Sequence, residues 1–334
     1  MWKRFFGVVM VCCLLALGAT ACRRAAPPQA NLPTPTPLGS GAPVAISPDG
    51  QSLLVVRSNA ELNEGWIQPA DGSEGRKVLE FQSTSFYAAY SPDGRHLAWT
   101  ADGLWLANAD GSNPEQIVAA ELVGPLAWSP ESDRLAVVLG DSLLAVDLTG
   151  QERREIAQAE AIRALAWSKL GNEDRLFFVS YPEQQPPFIA TVRLDGQDQQ
   201  QLAVGEAFDL AGEYLYVAEP LSAGPLRRLA ATDGSGETTV VDSGVQSVSA
   251  RPPQYDQVAY LKQGPDGVTS DLWLAQSDGF APIQLTSGEP VLGQLWSPDG
   301  QRLYYAVFDL EASEEEEPFR VQVLDIPPVG ATGG

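Results

Sequence analysis

Residues 45–56, AISPDGQSLLVV, hold the pattern that decides the architecture, because the chain repeats it. The same arrangement returns without gaps as AYSPDGRHLAWT from Ala89, AWSPESDRLAVV from Ala127 and LWSPDGQRLYYA from Leu295. Two looser copies lie between them, AWSKLGNEDRLFFV from Ala166 and AFDLAGEYLYVA from Ala207. A more degenerate one, VSARPPQYDQVAYL, starts at Val248. The serine-equivalent positions are 47, 91, 129, 168, 209, 249 and 297, with spacings of 44, 38, 39, 41, 40 and 48 residues. A mean spacing of about 42 is the length of one four-stranded propeller blade.

Each repeat reads as strands. A short apolar run enters Ser-Pro-Asp-Gly, where proline presets φ and glycine takes the left-handed position. An apolar strand such as Leu53–Val56 or Leu303–Val307 leaves it. A third strand ends at a second turn, marked by Asp71-Gly72, Asp110-Gly111, Asp195-Gly196, Asp233-Gly234 and Asp278-Gly279, with Thr149-Gly150 equivalent. Asp-Gly between apolar runs is a strong hairpin signal. A fourth, edge-like strand follows, as in Glu115–Val118 or Pro282–Leu285. No segment after the N-terminal region shows a helical period. The expected fold is all-β, a seven-bladed β-propeller of four-stranded antiparallel blades over residues 44–328.

These residues resemble the TolB-type propeller repeat, a relative of the WD-repeat, whose pattern is aromatic-Ser-Pro-Asp-Gly, apolar strand, Asp-Gly turn and a Gln-Leu-Thr-like ending. Gln284-Leu285-Thr286 reproduces that ending. The resemblance speaks to fold far more than to function. The aromatic residue before the serine position in five of the seven repeats (Tyr90, Trp128, Trp167, Phe208, Trp296) and Trp66, Trp105 and Trp273 ahead of the Asp-Gly turns recur from blade to blade. Such recurrence points to packing between blades, because a ligand site is rarely sevenfold. Closure is the open point: after a third strand at Phe319–Leu324 only DIPPVGATGG remains. Either Leu38–Ala42 supplies the missing outer strand, where proline is tolerated, or the last blade has three strands.

The N-terminus reads as an address. Lys3 and Arg4 precede an uncharged, mostly apolar run, Phe5–Ala21, that ends in Ala19-Thr20-Ala21 before Cys22. This is the pattern of a secretory signal. A cysteine directly after the small residues resembles the bacterial lipoprotein signal. The resemblance implies cleavage of residues 1–21 and attachment of diacylglycerol to Cys22, with the protein held on the outer side of the cytoplasmic membrane. The alternative is an ordinary secretory signal or an uncleaved anchor. Residues 22–43 would be the lipidated cysteine and a Pro-rich linker, and 329–334 a flexible tail.

The charge and the rare residues exclude whole classes of function. The chain carries 21 Lys+Arg against 43 Asp+Glu, a net charge of −22, which argues against nucleic acid because phosphate binding needs a basic footprint. Its cysteines are Cys12, Cys13 and Cys22 only, so the body has neither a disulfide framework nor a Cys-zinc site. The single histidine, His96, follows a Ser-Pro-Asp-Gly turn at a position read as variable and exposed. There is no Gly-x-Ser-x-Gly elbow and no phosphate-cradling loop. TolB-like repeats also form the propeller half of prolyl-peptidase-type enzymes, which carry a separate hydrolase domain that this sequence is not expected to accommodate after residue 334. Calcium is the one cofactor left open, since lactonase-like propellers bind it with oxygen donors alone.

In a propeller, the Ser-Pro-Asp-Gly and Asp-Gly turns share one face and the remaining loops share the other. The longer of those loops are Ser58–Gly65, Ser180–Pro187, Glu219–Pro225, Lys262–Asp271 and Asp309–Pro318, the last containing the run Glu314–Glu317. Every connection into the next blade's innermost strand carries an acid: Glu80, Glu121, Glu160, Glu206, Asp242 and Glu289. Glu121, Glu160 and Glu289 each stand eight residues before their repeat's serine position, which predicts equivalent sites around the channel mouth. The plain alternative is a loop position that stayed polar after duplication. The expected function is a membrane-tethered, non-catalytic envelope protein that binds a protein partner, one with a basic surface, through this acidic face. The competing readings are a calcium-dependent lactonase-like hydrolase and a binder of glycan or small ligand in the central funnel.

Overall fold

A computed structural model describes residues 32–327, apart from 59–61, 84, 121–122, 220, 222, 268, 311 and 313–315. Its strands form seven four-stranded antiparallel sheets. Blades 1 to 6 span residues 42–81, 87–118, 123–158, 164–204, 207–241 and 245–284. Blade 7 takes three strands from residues 291–325 and its fourth from Thr36–Ser40. The protein is a seven-bladed β-propeller.

The Ser-Pro-Asp-Gly turns are built by their own side chains. Ser47 Oγ donates to Asp49 Oδ1 at 2.6 Å and accepts the Ser52 N–H at 2.9 Å, while Asp49 Oδ1 also takes the Gln51 N–H at 3.0 Å. Ser91 with Asp93 and Ser297 with Asp299 repeat the arrangement. In Ser-Pro-Glu-Ser-Asp the acid falls later, and Ser129 Oγ donates to Asp133 instead.

Why each blade reads so apolar follows from what it touches. The buried apolar side chains fall into seven clusters, and each lies between two adjacent blades. A second strand such as Ser52–Ser58 therefore buries both faces: Leu53 and Val55 face blade 7, Leu54 and Val56 face blade 2. At about 1.5–3 kcal/mol per fully buried aliphatic side chain, these seams hold the ring together. Most of the recurrent tryptophans belong to them as expected: Trp128 Nε1 donates to the Ala89 carbonyl of the preceding blade at 3.0 Å, and Trp296 Nε1 to that of Ser249 at 3.2 Å. Trp66 does not, and instead lies under Arg57 and donates to Glu64 of its own strand.

The Asp-Gly glycines have a second duty. A Cβ on Gly150 would fall 2.0 Å from the Ile117 carbonyl oxygen, and on Gly279 2.2 Å from that of Val240, both in the preceding blade. Gly234 meets Leu202 in the same way at 2.5 Å. The turn of one blade thus lies directly on the outer strand of its neighbour, which no larger residue would permit.

Closure is through the N-terminus. Thr36–Ser40 pairs with Phe319–Asp325, with Thr36 opposite Val323 and Ser40 opposite Arg320. Blade 1 pins this strand from its side: Gln68 Nε2 donates to the Leu38 carbonyl, and Arg57 Nε to that of Ser40 at 3.2 Å. The closing strand lies earlier than the Leu38–Ala42 segment expected for it, because Ala42–Ile46 is already the innermost strand of blade 1. The propeller accordingly begins at Thr36 and not at residue 44. Pro37 is accepted because the strand has a free outer edge and a register shift beside it.

Candidate functional site

Within each blade, the strand order places the first-to-second and third-to-fourth turns on one face and the other connections on the opposite face. We call these the turn face and the loop face. Acidic residues occupy both, in different states.

On the turn face they are structural. The Asp49 carboxyl is held below its usual range by hydrogen bonds from Ser47 and the Gln51 N–H, Asp93 by Ser91 and Arg95, and Asp299 by Ser297 and Gln301. Asp71, Asp110 and Asp233 are lowered in the same way by serines two residues on. On the loop face burial pushes carboxyls up. Glu206 is raised by burial and by Glu219, and Glu289 by burial and by Asp271. Asp271 is itself raised by burial and by Asp266, against a Gly288 N–H that it accepts at 2.8 Å. Glu317 is raised by burial although it accepts the N–H groups of Ser58 and Phe319.

The structure brings four of the six sequence-selected acids to the loop-face connections beside the innermost strands: Glu160, Glu206, Asp242 and Glu289. Glu160 and Asp242 are exposed, Glu206 and Glu289 half-buried. Glu80 does not join them. It lies in the outermost strand of blade 1, Arg76–Phe81, and is ion-paired with Lys77. Glu121 and Cys22 lie outside the described residues, as do the signal segment, Glu314, Glu315 and the tail from 329.

Two of the ring acids brace loops. Glu160 Oε1 accepts the Glu183 N–H at 3.2 Å, and Glu206 Oε2 accepts the Leu221 N–H at 2.6 Å. Each of these two acids thereby holds the second-to-third loop of its own blade. Glu317 does the equivalent across the closing seam, joining the loop of blade 7 to Ser58 of blade 1. The mouth is also narrowed by Tyr87, whose hydroxyl reaches the Arg163 carbonyl at the start of blade 4, 3.4 Å away.

Sequence reasoning missed Asp209 and Arg251. Asp209 takes the serine position of blade 5, and its two oxygens accept the N–H groups of Leu210 and of Ala250 in blade 6, both at 2.8 Å. Burial raises its pKa to about 6. Both residues sit in degenerate copies of the repeat, and departure from the repeat was the available signal. His96 differs from expectation too: it opens the strand His96–Thr100, is half-buried, and stacks on Trp128 with ring centroids 6.1 Å apart.

Among the described residues, no three His, Cys, Asp or Glu side chains are placed to hold a metal ion. A cavity of about 490 Å³ lies on the turn face between blades 1 and 7, lined by Asp49, Asp299, Arg302, Tyr304 and Asp325, away from the ring.

No protein-family model matches the sequence, and neither does any curated protein. Solved structures do. A TolB candidate from Agrobacterium tumefaciens superposes with a TM-score of 0.51 at 18% identity, covering 76% of this chain and 94% of that one. The chain folds as a TolB-like seven-bladed propeller. An oligogalacturonate lyase from Vibrio parahaemolyticus matches this TolB-like propeller with a TM-score of 0.63 at 13% identity, covering 87% and 92% of the two chains. A second oligogalacturonate lyase, in complex with manganese, gives 0.63 at 10% identity, covering 87% and 90%. At such identities the likeness is one of fold, shared by TolB-like and lyase propellers alike.

Proposed function

We propose that this protein is a lipid-anchored, non-catalytic component of the cell envelope that binds a protein partner through the loop face of its propeller. The observation that carries the reading is the different use of acids on the two faces. Turn-face aspartates are occupied as turn acceptors, with their pKa values lowered by those bonds. On the loop face Glu206, Asp271 and Glu289 are half-buried and raised by burial and by a neighbouring acid, while Glu160 and Asp242 stand exposed in the equivalent connections. Like charges held close under partial desolvation are relieved by an incoming cation or basic side chain. A predominantly acidic face also speeds the encounter with an oppositely charged partner, by roughly 10–1,000-fold. The partner this chemistry selects has a basic surface.

The test is crosslinking in native membranes, with capture quantified against ionic strength. Capture should fall as salt rises, most steeply below physiological ionic strength. Glu121, Glu160 and Glu289 changed together to Gln should reduce it at least tenfold. Asp71, Asp110 and Asp278 changed together to Asn remove equal charge while the amide oxygen keeps the turn bonds to Ser73, Ser112 and Phe280, and should leave capture within twofold. Equal losses in the two triple variants would show that net charge alone is at work.

A further inference from the structure

We infer that the propeller is mounted with its turn face toward the membrane, so that the loop face with its acidic mouth points away from the lipid to meet the partner. This rests on the proposed anchor at Cys22 and adds a direction to it. The direction comes from where the chain joins the propeller. Thr36, the first residue of the closing strand, pairs with Val323, and Asp325 beyond it pairs with Arg302 just after the blade 7 Ser-Pro-Asp-Gly turn. The Ile326 N–H reaches the Gln301 carbonyl of that turn at 2.7 Å. The chain therefore arrives on the turn face and crosses to the loop face only at Ser40–Gly41, where the Gly41 N–H meets the Phe319 carbonyl at 2.7 Å.

That point of attachment is fixed. Leu38 is buried in the seam between blades 7 and 1, and the Gln68 and Arg57 bonds hold the strand's carbonyls. Residues 23–35 span at most about 40 Å when extended at about 3.1 Å per residue. Presenting the loop face to the lipid would send the linker back along the edge of blade 7, past a strand of 7 residues or about 23 Å, taking up more than half of that length.

The experiment uses the full chain purified from membranes and reconstituted into vesicles of phosphatidylethanolamine and phosphatidylglycerol. Dyes are attached to single cysteines, because the anchor would block Cys22 and signal cleavage would remove Cys12 and Cys13. Ser235→Cys on the turn face and Ser243→Cys on the loop face flank the same outer strand of blade 5, Thr238–Val241, and both positions are exposed. Ser73→Cys and Gln82→Cys flank that of blade 1. Energy transfer to an acceptor in the lipid headgroups should be at least twofold more efficient from 235 and 73 than from 243 and 82. Equal or reversed transfer, in protein that floats with the vesicles, overturns the orientation and leaves the anchor standing. Failure of the wild-type chain to float, or flotation that survives Cys22→Ser, overturns the anchor and the orientation with it.

Discussion

Arg251→Met tests most directly how the ring is locked near its closure. Arg251 is 1% exposed and has no carboxylate within ion-pair distance among the described residues. Its guanidinium instead donates to the Gly300 carbonyl at 2.7 Å, the Ile326 carbonyl at 2.8 Å and Gln257 Oε1. It lies 3.9 Å from the Tyr255 ring centroid and 5.0 Å from that of Trp296. Burial pushes its pKa down, opposed by Tyr255 and Asp299. The side chain thus joins blade 6 to the turn of blade 7 and to the segment that leaves the last strand. Methionine keeps the stem and removes the head, leaving three buried acceptors unpaired at about 1–3 kcal/mol each. Relief of the buried charge offsets part of that, so the net loss should be about 3–5 kcal/mol. Urea unfolding followed by tryptophan fluorescence would read it as a lower midpoint at unchanged slope. Arg302→Met is the control: that side chain is 49% exposed and meets Asp325 at 3.5 Å, a pair expected to contribute under about 1 kcal/mol. Lysine at 251 should not restore stability, since a point charge cannot serve three divergent acceptors. A loss below about 1 kcal/mol for Arg251→Met, or one equal to the control, would refute the reasoning.

Gly150→Ala should cost more than about 2 kcal/mol, because its Cβ meets the Ile117 carbonyl at 2.0 Å. Gly140→Ala, at a similar positive φ of 62° with nothing within 4 Å, should cost about 1. Thermal melts of the two variants separate the inter-blade contact from the backbone strain, and equal losses would remove the contact from the account. Gln68→Ala should free the closing strand, seen as faster amide exchange at residues 36–40 with blades 3 to 5 unchanged. Burial lifts the Asp209 pKa in the folded state to about 6, above its ordinary value of 3.8, so the native state binds the extra proton between those values. Its contribution therefore improves as pH falls through that window and is lost as pH rises past 6. Wild type should gain on the order of 2 kcal/mol relative to Asp209→Asn between pH 7 and pH 4 in matched urea titrations, and a flat difference would sink the assignment.

The fold was legible in the sequence because a propeller repeats its local chemistry. Ser-Pro-Asp-Gly encodes a turn through bonds among residues two to five apart, as Ser47, Asp49 and Ser52 show, and seven spaced copies fix the number of blades. Charge, the rarity of histidine and the absence of cysteine after Cys22 likewise needed no coordinates. Tertiary structure decided what depends on residues far apart in the chain. The second duty of Gly150 is visible only once Ile117 lies against it. Closure was ambiguous because the outer strand, Thr36–Ser40, is about 280 residues from its partner and contains a proline that local rules mark as linker. The candidate ring was half-readable: equal spacing put Glu160 and Glu289 in like connections, but it could not see that Glu160 already accepts a loop N–H, nor that Lys77 pairs with Glu80. Local hydrogen bonds repeat with the sequence, whereas burial and pairing belong to whichever strands the closed ring brings together.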